Sequence, residues 1–264
     1  MSIRLIAADI DGTLTDDARS VSERNIRAIE AARQKGVLVT LATGRGVKGT
    51  KAIADCIGLS GPAIQFGGAW VTDTRDGSTL LFHGMAPALV HDVLEYAHTL
   101  GVHAQIYQGD AVIYEKKSER AERYTAYQDL PFRVDPELRS KVCDNVPKVL
   151  VIVPAAAEPE TRRLFTEKFA GRAAVSRSAP EYVEINAIGT TKENALQWLT
   201  DRLGIPQADT CALGDSYLDI GMLRWAGTGV CMANGVPEAK AAADVIAPAC
   251  ADDGLAQFIE QYVL

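Results

Sequence analysis

Short apolar strands alternate with helical patterns at both ends of this chain, and this alternation constrains the fold more than any other feature. In the first part, strands are predicted at residues 3–10, 37–44 and 62–66, separated by helices at 20–35 and 49–57. After Gly189 the alternation returns, with strands at 210–215, 227–234 and 244–248 and helices at 192–203, 218–225, 237–243 and 253–262. Strands that are apolar along nearly their whole length are buried on both faces, which is typical of a parallel sheet covered by helices.

The first helix has a recognisable start. Ser20 and Glu23 have the spacing of a capping box, which predicts Ser20 as the N-cap. Asp16 and Asp17 precede this cap and are predicted to lie in a solvated loop.

The middle of the chain has a different order of elements. Hairpins are predicted at 103–116 and 172–187, a strand at 148–154, and helices at 87–100, 118–128 and 158–169. Hairpins and helices in blocks are typical of an α+β domain. The sequence therefore predicts an α/β fold: a doubly wound parallel-sheet core formed by residues 1–81 and 189–264, with an α+β domain inserted at 82–188.

Charge and composition exclude several classes of partner. The 264 residues carry a formal net charge of −7, which disfavours binding to nucleic acid or to an anionic membrane. The longest apolar run, Val149–Val153, is far shorter than the ~20 residues that span a bilayer. The N-terminus carries Arg4 and Asp9 and does not resemble a signal peptide, and the five cysteines form no CxxC pair. We expect a cytoplasmic protein with reduced thiols, either a monomer or a homodimer.

Polar residues follow the predicted strands of the core. They form four clusters: Asp9 with Asp11, the run Thr43–Arg45, Lys192, and Gly214-Asp215 with Asp219. A single carboxylate after a strand is more often a helix cap or a turn residue than a catalytic group. Open parallel sheets nevertheless bind ligands at the carboxyl ends of their strands, so the joint placement of the clusters predicts a site there.

The acidic residues of these clusters indicate a metal and a nucleophile. Asp9, Asp11 and Asp215 at one edge would repel and raise one another's pKa, and a divalent cation would relieve this. Oxygen ligands with room for water and phosphate fit Mg²⁺. A carboxylate beside Mg²⁺ can attack phosphorus, and a second can protonate the leaving oxygen and then take a proton from water.

The remaining residues of the clusters suit a phosphoryl group. Thr43 offers a hydroxyl, Gly44 an unobstructed backbone N–H, and Lys192 a positive charge. Such groups stabilise the charge on a phosphoryl group during its transfer. Gly12 would permit a turn that aims backbone N–H groups at phosphate.

The sequence resembles the haloacid dehalogenase superfamily of phosphatases, and within it the Cof-type branch with a large α/β cap. The family's DxDGT[LV] motif matches Asp9–Leu14, and its strand-ending threonine matches Thr43. Its lysine matches Lys192, and its GDxxxD motif matches Gly214–Asp219. The order and spacing of the motifs fit over the whole chain.

The resemblance implies roles for the acidic residues. Asp9 would be the nucleophile, and Asp11 would be the general acid/base and bind Mg²⁺ through its backbone carbonyl. Asp215 would be the third protein ligand of the metal, and Asp219 would support the metal through its water shell.

The resemblance also implies a substrate class. Thr43, Gly44 and Lys192 would hold the phosphoryl group, and the inserted domain would be a cap that closes over the site and selects the substrate. The substrate would be a small phosphorylated metabolite, such as a sugar phosphate, flavin mononucleotide or pyridoxal phosphate.

Two positions depart from the family pattern. Leu218 stands where the Cof-type branch has an asparagine, and Asn234 is a candidate to supply the missing polar contact. Glu193 follows Lys192 in place of a common glycine and is favourable in the first turn of a helix. Arg45 is a further candidate contact, either with the remote part of the substrate or with a nearby carboxylate.

Two other functions are compatible with these motifs. A sugar phosphomutase would use the same aspartate but needs cationic cap residues to retain a bisphosphate, for which the candidates are Lys116, Lys117, Arg120 and Arg123. A non-catalytic regulator that binds a phosphorylated ligand would explain Leu218, but it has no need of the intact Asp9 and Asp11.

Overall fold

A computed structural model describes residues 3–16 and 20–264, so the predicted loop residue Asp17 lies outside the described residues. The chain forms two compact units: unit 1 consists of Met1–Leu81 and Thr191–Leu264, and unit 2 of Phe82–Thr190. The mixed α/β class predicted from the sequence is confirmed. Within the described ranges, the helices are too short or too polar to cross a membrane. All five cysteines are free thiols.

The secondary structure elements are numbered here in chain order. The chain begins with β1 (Leu5–Ala8), α1 (Glu23–Gln34), β2 (Leu38–Leu41), α2 (Val47–Cys56), β3 (Pro62–Gln65), β4 (Trp70–Asp73) and β5 (Thr79–Phe82). It continues with α3 (Pro87–Thr99), β6 (His103–Gln108), β7 (Ala111–Tyr114), α4 (Glu119–Gln128), β8 (Phe132–Val134), β9 (Lys148–Ile152), α5 (Glu158–Lys168), β10 (Ala173–Ala179) and β11 (Tyr182–Ala187). It ends with α6 (Lys192–Leu203), β12 (Thr210–Gly214), α7 (Ile220–Trp225), β13 (Thr228–Met232), α8 (Pro237–Lys240), β14 (Val245–Ala247) and α9 (Gly254–Tyr262).

Unit 1 is built on a parallel sheet of order β14-β13-β12-β1-β2. Successive residues of β1 point to opposite faces, as the pleat requires. Ile6 packs in the core that contains residues of α1, α2 and α9, whereas Leu5 packs with residues of α6 and α7. The sheet is therefore covered by helices on both faces, which explains why its strands are apolar along their length.

The register of this sheet positions the site. Ala8 at the end of β1 pairs with Leu213 of β12 on one side and with Leu41 of β2 on the other. The three strands therefore end at the same edge, and the residues that follow them emerge there together.

Three details of the first part of the chain differ from the sequence-based expectations. The helix α1 begins at Glu23, and its N-cap is Ser22, whose hydroxyl accepts the N–H of Asn25 at 3.1 Å; the prediction of Ser20 was wrong. The strand β3 joins β2 through a single parallel bridge, from Ala42 to Ile64, and its main partner is the antiparallel strand β4. The strands β4 and β5 were not predicted.

The chain reverses after β3 through Gly67 and Gly68. Gly68 has a φ of +109°, and a Cβ there would lie 2.1 Å from the carbonyl oxygen of Thr191. The turn can therefore approach the start of α6 only because the residue is glycine.

Unit 2 contains a six-stranded sheet of order β10-β11-β9-β6-β7-β8. Its strand pairs are antiparallel except for β7 with β8. Val149 and Ile185 of the sheet pack in one core with Val93 of α3 and Phe165 of α5. The strand β8 was not predicted from the sequence.

Candidate active site

The ends of three parallel strands bring the predicted residues of unit 1 together. Asp9 follows β1 and donates its backbone N–H to the carbonyl of Leu213 at 2.9 Å. Asp215 follows β12, and Thr43 lies just beyond β2. Lys192 is the first residue of α6, whose N-cap Thr191 accepts the N–H of Asn194 at 3.0 Å.

A buried lysine links two buried carboxylates at this edge. The Nζ atom of Lys192 lies 2.6 Å from Oδ1 of Asp9 and 2.6 Å from Oδ1 of Asp219. The exposed fractions of the side chains are 2%, 7% and 0% respectively. Burial opposes the charge of Lys192, but Asp219 and Asp9 outweigh it and raise its pKa. The ammonium is therefore a fixed positive charge.

Asp9 lies in an electrostatically unfavourable position. Burial raises the pKa of its carboxyl well above the usual value, Lys192 opposes this shift, and Asp219 and Asp215 add to it. One lysine thus faces three neighbouring carboxylates.

Asp219 uses both of its carboxylate oxygens within the protein. Oδ1 accepts from Lys192, and Oδ2 accepts the backbone N–H groups of Asp215 at 3.1 Å and Ser216 at 2.8 Å and the hydroxyl of Ser216 at 2.8 Å. Asp219 therefore orients the lysine and fixes the loop that carries Asp215. Its support of a metal through water stays a prediction.

Asp215 is held against the turn that follows Asp9. The hydroxyl of Thr13 donates to Oδ1 of Asp215 at 3.2 Å. Gly12 has a φ of +82°, and a Cβ there would lie 2.5 Å from Oδ2 of Asp215. Burial and the charge of Asp219 raise the pKa of Asp215 to about 6.

These carboxylates form a candidate metal site. One oxygen from each of Asp9, Asp215 and Asp219 lies within 4.8 Å of the other two. The donor atoms are all oxygens, and Lys192 bonds to two of the three carboxylates, so the residues present fit a hard divalent cation such as Mg²⁺.

The turn after β2 is rigid and lies against Leu218. Thr43 is buried, its hydroxyl accepts the N–H of Arg45 at 3.1 Å, and its carbonyl accepts the N–H of Gly67 at 2.9 Å. A Cβ at Gly44 would lie 3.8 Å from Cδ1 of Leu218. Leu218 therefore presents a methyl group to the turn where the family pattern has a polar amide.

Arg45 and Asn234 have identified partners. The guanidinium of Arg45 binds both carboxylate oxygens of Asp11, at 2.8 and 2.5 Å, which is one of its two predicted contacts. The amide of Asn234 donates to the carbonyl of Gly12 at 2.8 Å and accepts the N–H of Cys250 at 2.8 Å. Asn234 therefore holds the Gly12 turn in place, and its contact with phosphate stays a prediction.

Sequence reasoning missed some of these supporting roles. The hydrogen bond from Thr13 to Asp215 had no signal in the sequence. Glu193 was expected to favour the helix start, and it also packs on α7: a Cβ at Gly221 would lie 2.6 Å from its Oε2. Asp219, the last residue of the GDxxxD pattern, was the signal from which an anchor for the loop of Asp215 could have been inferred.

The fold and the site define a carboxylate-centred enzyme of the doubly wound α/β class. The family model of the haloacid dehalogenase-like hydrolases matches residues 6–259. The chain therefore belongs to the haloacid dehalogenase-like hydrolases.

Similar proteins align with all or nearly all of the chain. A 5-amino-6-(5-phospho-D-ribitylamino)uracil phosphatase of Bacillus subtilis is 30% identical over 269 residues, which span 100% of this chain and 97% of the relative. A pyridoxal phosphate phosphatase of Escherichia coli is 26% identical over 273 residues, with 100% of both chains covered. The crystal structure of a haloacid dehalogenase-like hydrolase from Bacteroides thetaiotaomicron matches with a TM-score of 0.89 at 25% identity, covering 98% of this chain and 99% of that one. These comparisons confirm the predicted class, a Cof-type phosphatase of the haloacid dehalogenase superfamily.

Proposed function

We propose that this chain is a Mg²⁺-dependent phosphomonoesterase that hydrolyses a small phosphorylated metabolite through an aspartyl-phosphate intermediate on Asp9. The observation that carries the proposal is the cluster of buried Asp9, half-buried Asp215 and buried Asp219, in which Lys192 bonds to Asp9 and Asp219. Such a cluster needs further positive charge, and a cation together with a phosphoryl group fits that need.

Three groups would hold the metal. They are the carboxylates of Asp9 and Asp215 and the backbone carbonyl of Asp11. When bound, Mg²⁺ would offset the repulsion among the carboxylates and stabilise negative charge on the phosphoryl oxygens.

Asp9 and Asp11 would then carry out the two steps of the reaction. The carboxylate of Asp9 attacks phosphorus, and the ester P–O bond breaks as Asp11 gives a proton to the leaving oxygen. In the second step Asp11 takes a proton from water, the water oxygen attacks phosphorus, and the acyl phosphate bond breaks to release inorganic phosphate and restore Asp9.

Lys192, Thr43 and Gly44 would hold the phosphoryl group during both steps. The ammonium is kept beside Asp9 by its bond to Asp219 and therefore stands ready before substrate arrives. The rigid turn at Thr43 would offer its hydroxyl and the N–H of Gly44 to the phosphoryl oxygens.

Unit 2 is assigned the role of the cap that selects the substrate. The relatives named above act on a phosphorylated ribitylaminouracil and on pyridoxal phosphate, both small phosphate monoesters. In unit 2, Arg120 and Arg123 are paired with Glu181, and Lys117 is paired with Glu122. Three of the four cationic residues that could hold the bisphosphate of a mutase therefore have carboxylate partners within unit 2, although Arg120 and Arg123 share a single one.

The test is a phosphate-release screen over small phosphorylated metabolites, with and without Mg²⁺. We expect release that depends on Mg²⁺ in the wild-type protein and is absent in Asp9→Asn. The matched control is Asp55→Asn, which changes an exposed aspartate paired with Lys51 and should keep full activity. No release from any metabolite or from p-nitrophenyl phosphate, or full activity in Asp9→Asn, would contradict the proposal.

A further inference from the structure

Arg45 and Asp11 form a two-pronged ion pair at the edge of the parallel sheet. Nε of Arg45 lies 2.8 Å from Oδ2 of Asp11, and Nη2 lies 2.5 Å from Oδ1. A bidentate arginine–carboxylate pair fixes the orientation of the carboxylate as well as its distance. The carboxylate of Asp11 therefore has one defined orientation.

Arg45 is the anchored member of the pair. Its backbone N–H donates to the hydroxyl of Thr43 at 3.1 Å, and its carbonyl accepts the N–H of Phe66 at 2.9 Å. Its side chain is 14% exposed, whereas that of Asp11 is 52% exposed. A half-exposed aspartate would sample several rotamers without such a partner.

We propose that Arg45 is a positioning residue for Asp11: its guanidinium holds the Asp11 carboxylate by both oxygens, and when Asp11 is protonated one oxygen keeps this bond while the other carries the proton that is transferred. This inference rests on the proposed function, in which Asp11 serves the leaving oxygen and then the attacking water. A half-exposed ion pair contributes little to the stability of the fold. Its main consequence is therefore the fixed orientation of the Asp11 carboxylate.

The proposal predicts that loss of Arg45 affects two substrates differently, because their leaving groups differ in their need for a proton. p-Nitrophenol leaves readily without a proton, whereas an alkyl alcohol does not. The pair to compare is p-nitrophenyl phosphate and the alkyl phosphate that the wild-type enzyme turns over fastest in the metabolite screen. The variants are Arg45→Met, which keeps the apolar stem, and Arg45→Lys, which keeps the charge but not the fork.

In Arg45→Met we expect kcat/KM on the alkyl phosphate to fall about 10- to 100-fold, and on p-nitrophenyl phosphate by less than about threefold. Arg45→Lys should lie between Arg45→Met and wild type on the alkyl phosphate. Competitive inhibition by inorganic phosphate should not change, since Arg45 acts through Asp11. The matched control is Arg24→Met, which removes a bidentate pair with Glu260 (2.6 and 3.0 Å) and should leave both activities unchanged.

A double substitution tests whether Arg45 acts through Asp11. In an Asp11→Asn background, Arg45→Met should have no further effect on either substrate, because the interaction it removes is already gone.

Three results would overturn the inference. They are an equal loss on both substrates with weaker inhibition by inorganic phosphate, an undiminished effect of Arg45→Met in the Asp11→Asn background, and unchanged kinetics in Arg45→Met. Any of these in an enzyme that Asp9→Asn inactivates leaves the proposed function standing. A wild-type protein with no turnover defeats the proposed function, and this inference with it.

Discussion

Lys192 and Asp219 form a 2.6 Å ion pair in which neither side chain is more than 2% exposed. The same ammonium reaches Asp9 at 2.6 Å, so Asp219 acts on the proposed nucleophile through the lysine. This arrangement explains how a buried cluster of carboxylates is held together before any ligand arrives.

Loss of this lysine should therefore destabilise the protein as well as inactivate it. We expect Lys192→Met to lower the free energy of unfolding by about 3 kcal/mol, because it leaves buried carboxylates without their cation. Urea unfolding without Mg²⁺ measures this. Lys51→Met, which removes a lysine from an exposed pair with Asp55, should cost less than about 1 kcal/mol. Equal losses in the two variants would show that the buried pair contributes nothing special.

Gly12 and Gly36 provide a matched pair of glycines with similar backbone angles. Their φ values are +82° and +85°, but a Cβ at Gly12 would lie 2.5 Å from Asp215, whereas one at Gly36 would meet no atom within 4 Å. Both alanine variants should lose about 1 kcal/mol to backbone strain. Only Gly12→Ala should displace Asp215, weaken the stabilisation by Mg²⁺ and reduce activity at least about 10-fold.

Thermal unfolding with MgCl₂ or EDTA, together with phosphate release, distinguishes these two variants. A Gly36→Ala protein with the same loss of Mg²⁺ response would contradict the contact-based explanation.

Asp215 should make the stability of the metal-free protein depend on pH. Its pKa is raised from 3.8 to about 6 in the folded protein, so the folded state binds the proton more tightly than the unfolded state. The charged carboxylate therefore destabilises the folded protein above pH 6. This destabilisation disappears as the pH falls toward 3.8, the pKa of the carboxyl in the unfolded chain. We compare the free energy of unfolding of Asp215→Asn with that of wild type at each pH. The difference, variant minus wild type, should be about 1 to 2 kcal/mol larger at pH 7.5 than at pH 5.

Urea titrations of wild type and Asp215→Asn in EDTA at the two pH values measure this difference. If Asp215→Asn instead loses stability relative to wild type between pH 5 and pH 7.5, the pKa of Asp215 is not raised in the folded protein. In the presence of Mg²⁺ the wild-type protein should recover stability at pH 7.5, and the asparagine variant should not.

Leu218 offers a direct test of the departure from the family pattern. Its Cδ1 lies 3.8 Å from where a Cβ of Gly44 would stand, so an amide at this position would reach the turn proposed to hold phosphate. We expect Leu218→Asn to tighten competitive inhibition by inorganic phosphate about threefold to 10-fold, the value of one added hydrogen bond. Leu218→Ala is the control and should not tighten it. If both variants tighten inhibition equally, the effect comes from the added space.

Much of the fold could be predicted because its signals are local. The helix α6 was expected at 192–203 and is found at Lys192–Leu203, since a cap, an apolar period and a following glycine define it within a few residues. The strands β4 and β5 escaped prediction because their pairing depends on a reversal at Gly67 and Gly68. The N-cap was misassigned because Ser20 and Ser22 are both acceptable caps, and only the path of the chain selects Ser22.

Strand direction and chain order are enough to predict from the residues alone that Asp9, Asp11, Thr43, Lys192 and Asp215 follow or begin elements at one edge of a parallel sheet. Which groups meet at that edge depends on the folded chain: Arg45 with Asp11, Thr13 with Asp215, and Asn234 with Gly12. These pairs lie 34, 202 and 222 residues apart. Periodicity reports on neighbours along the chain, whereas contacts at such separations arise only when packed helices and strands bring distant segments together.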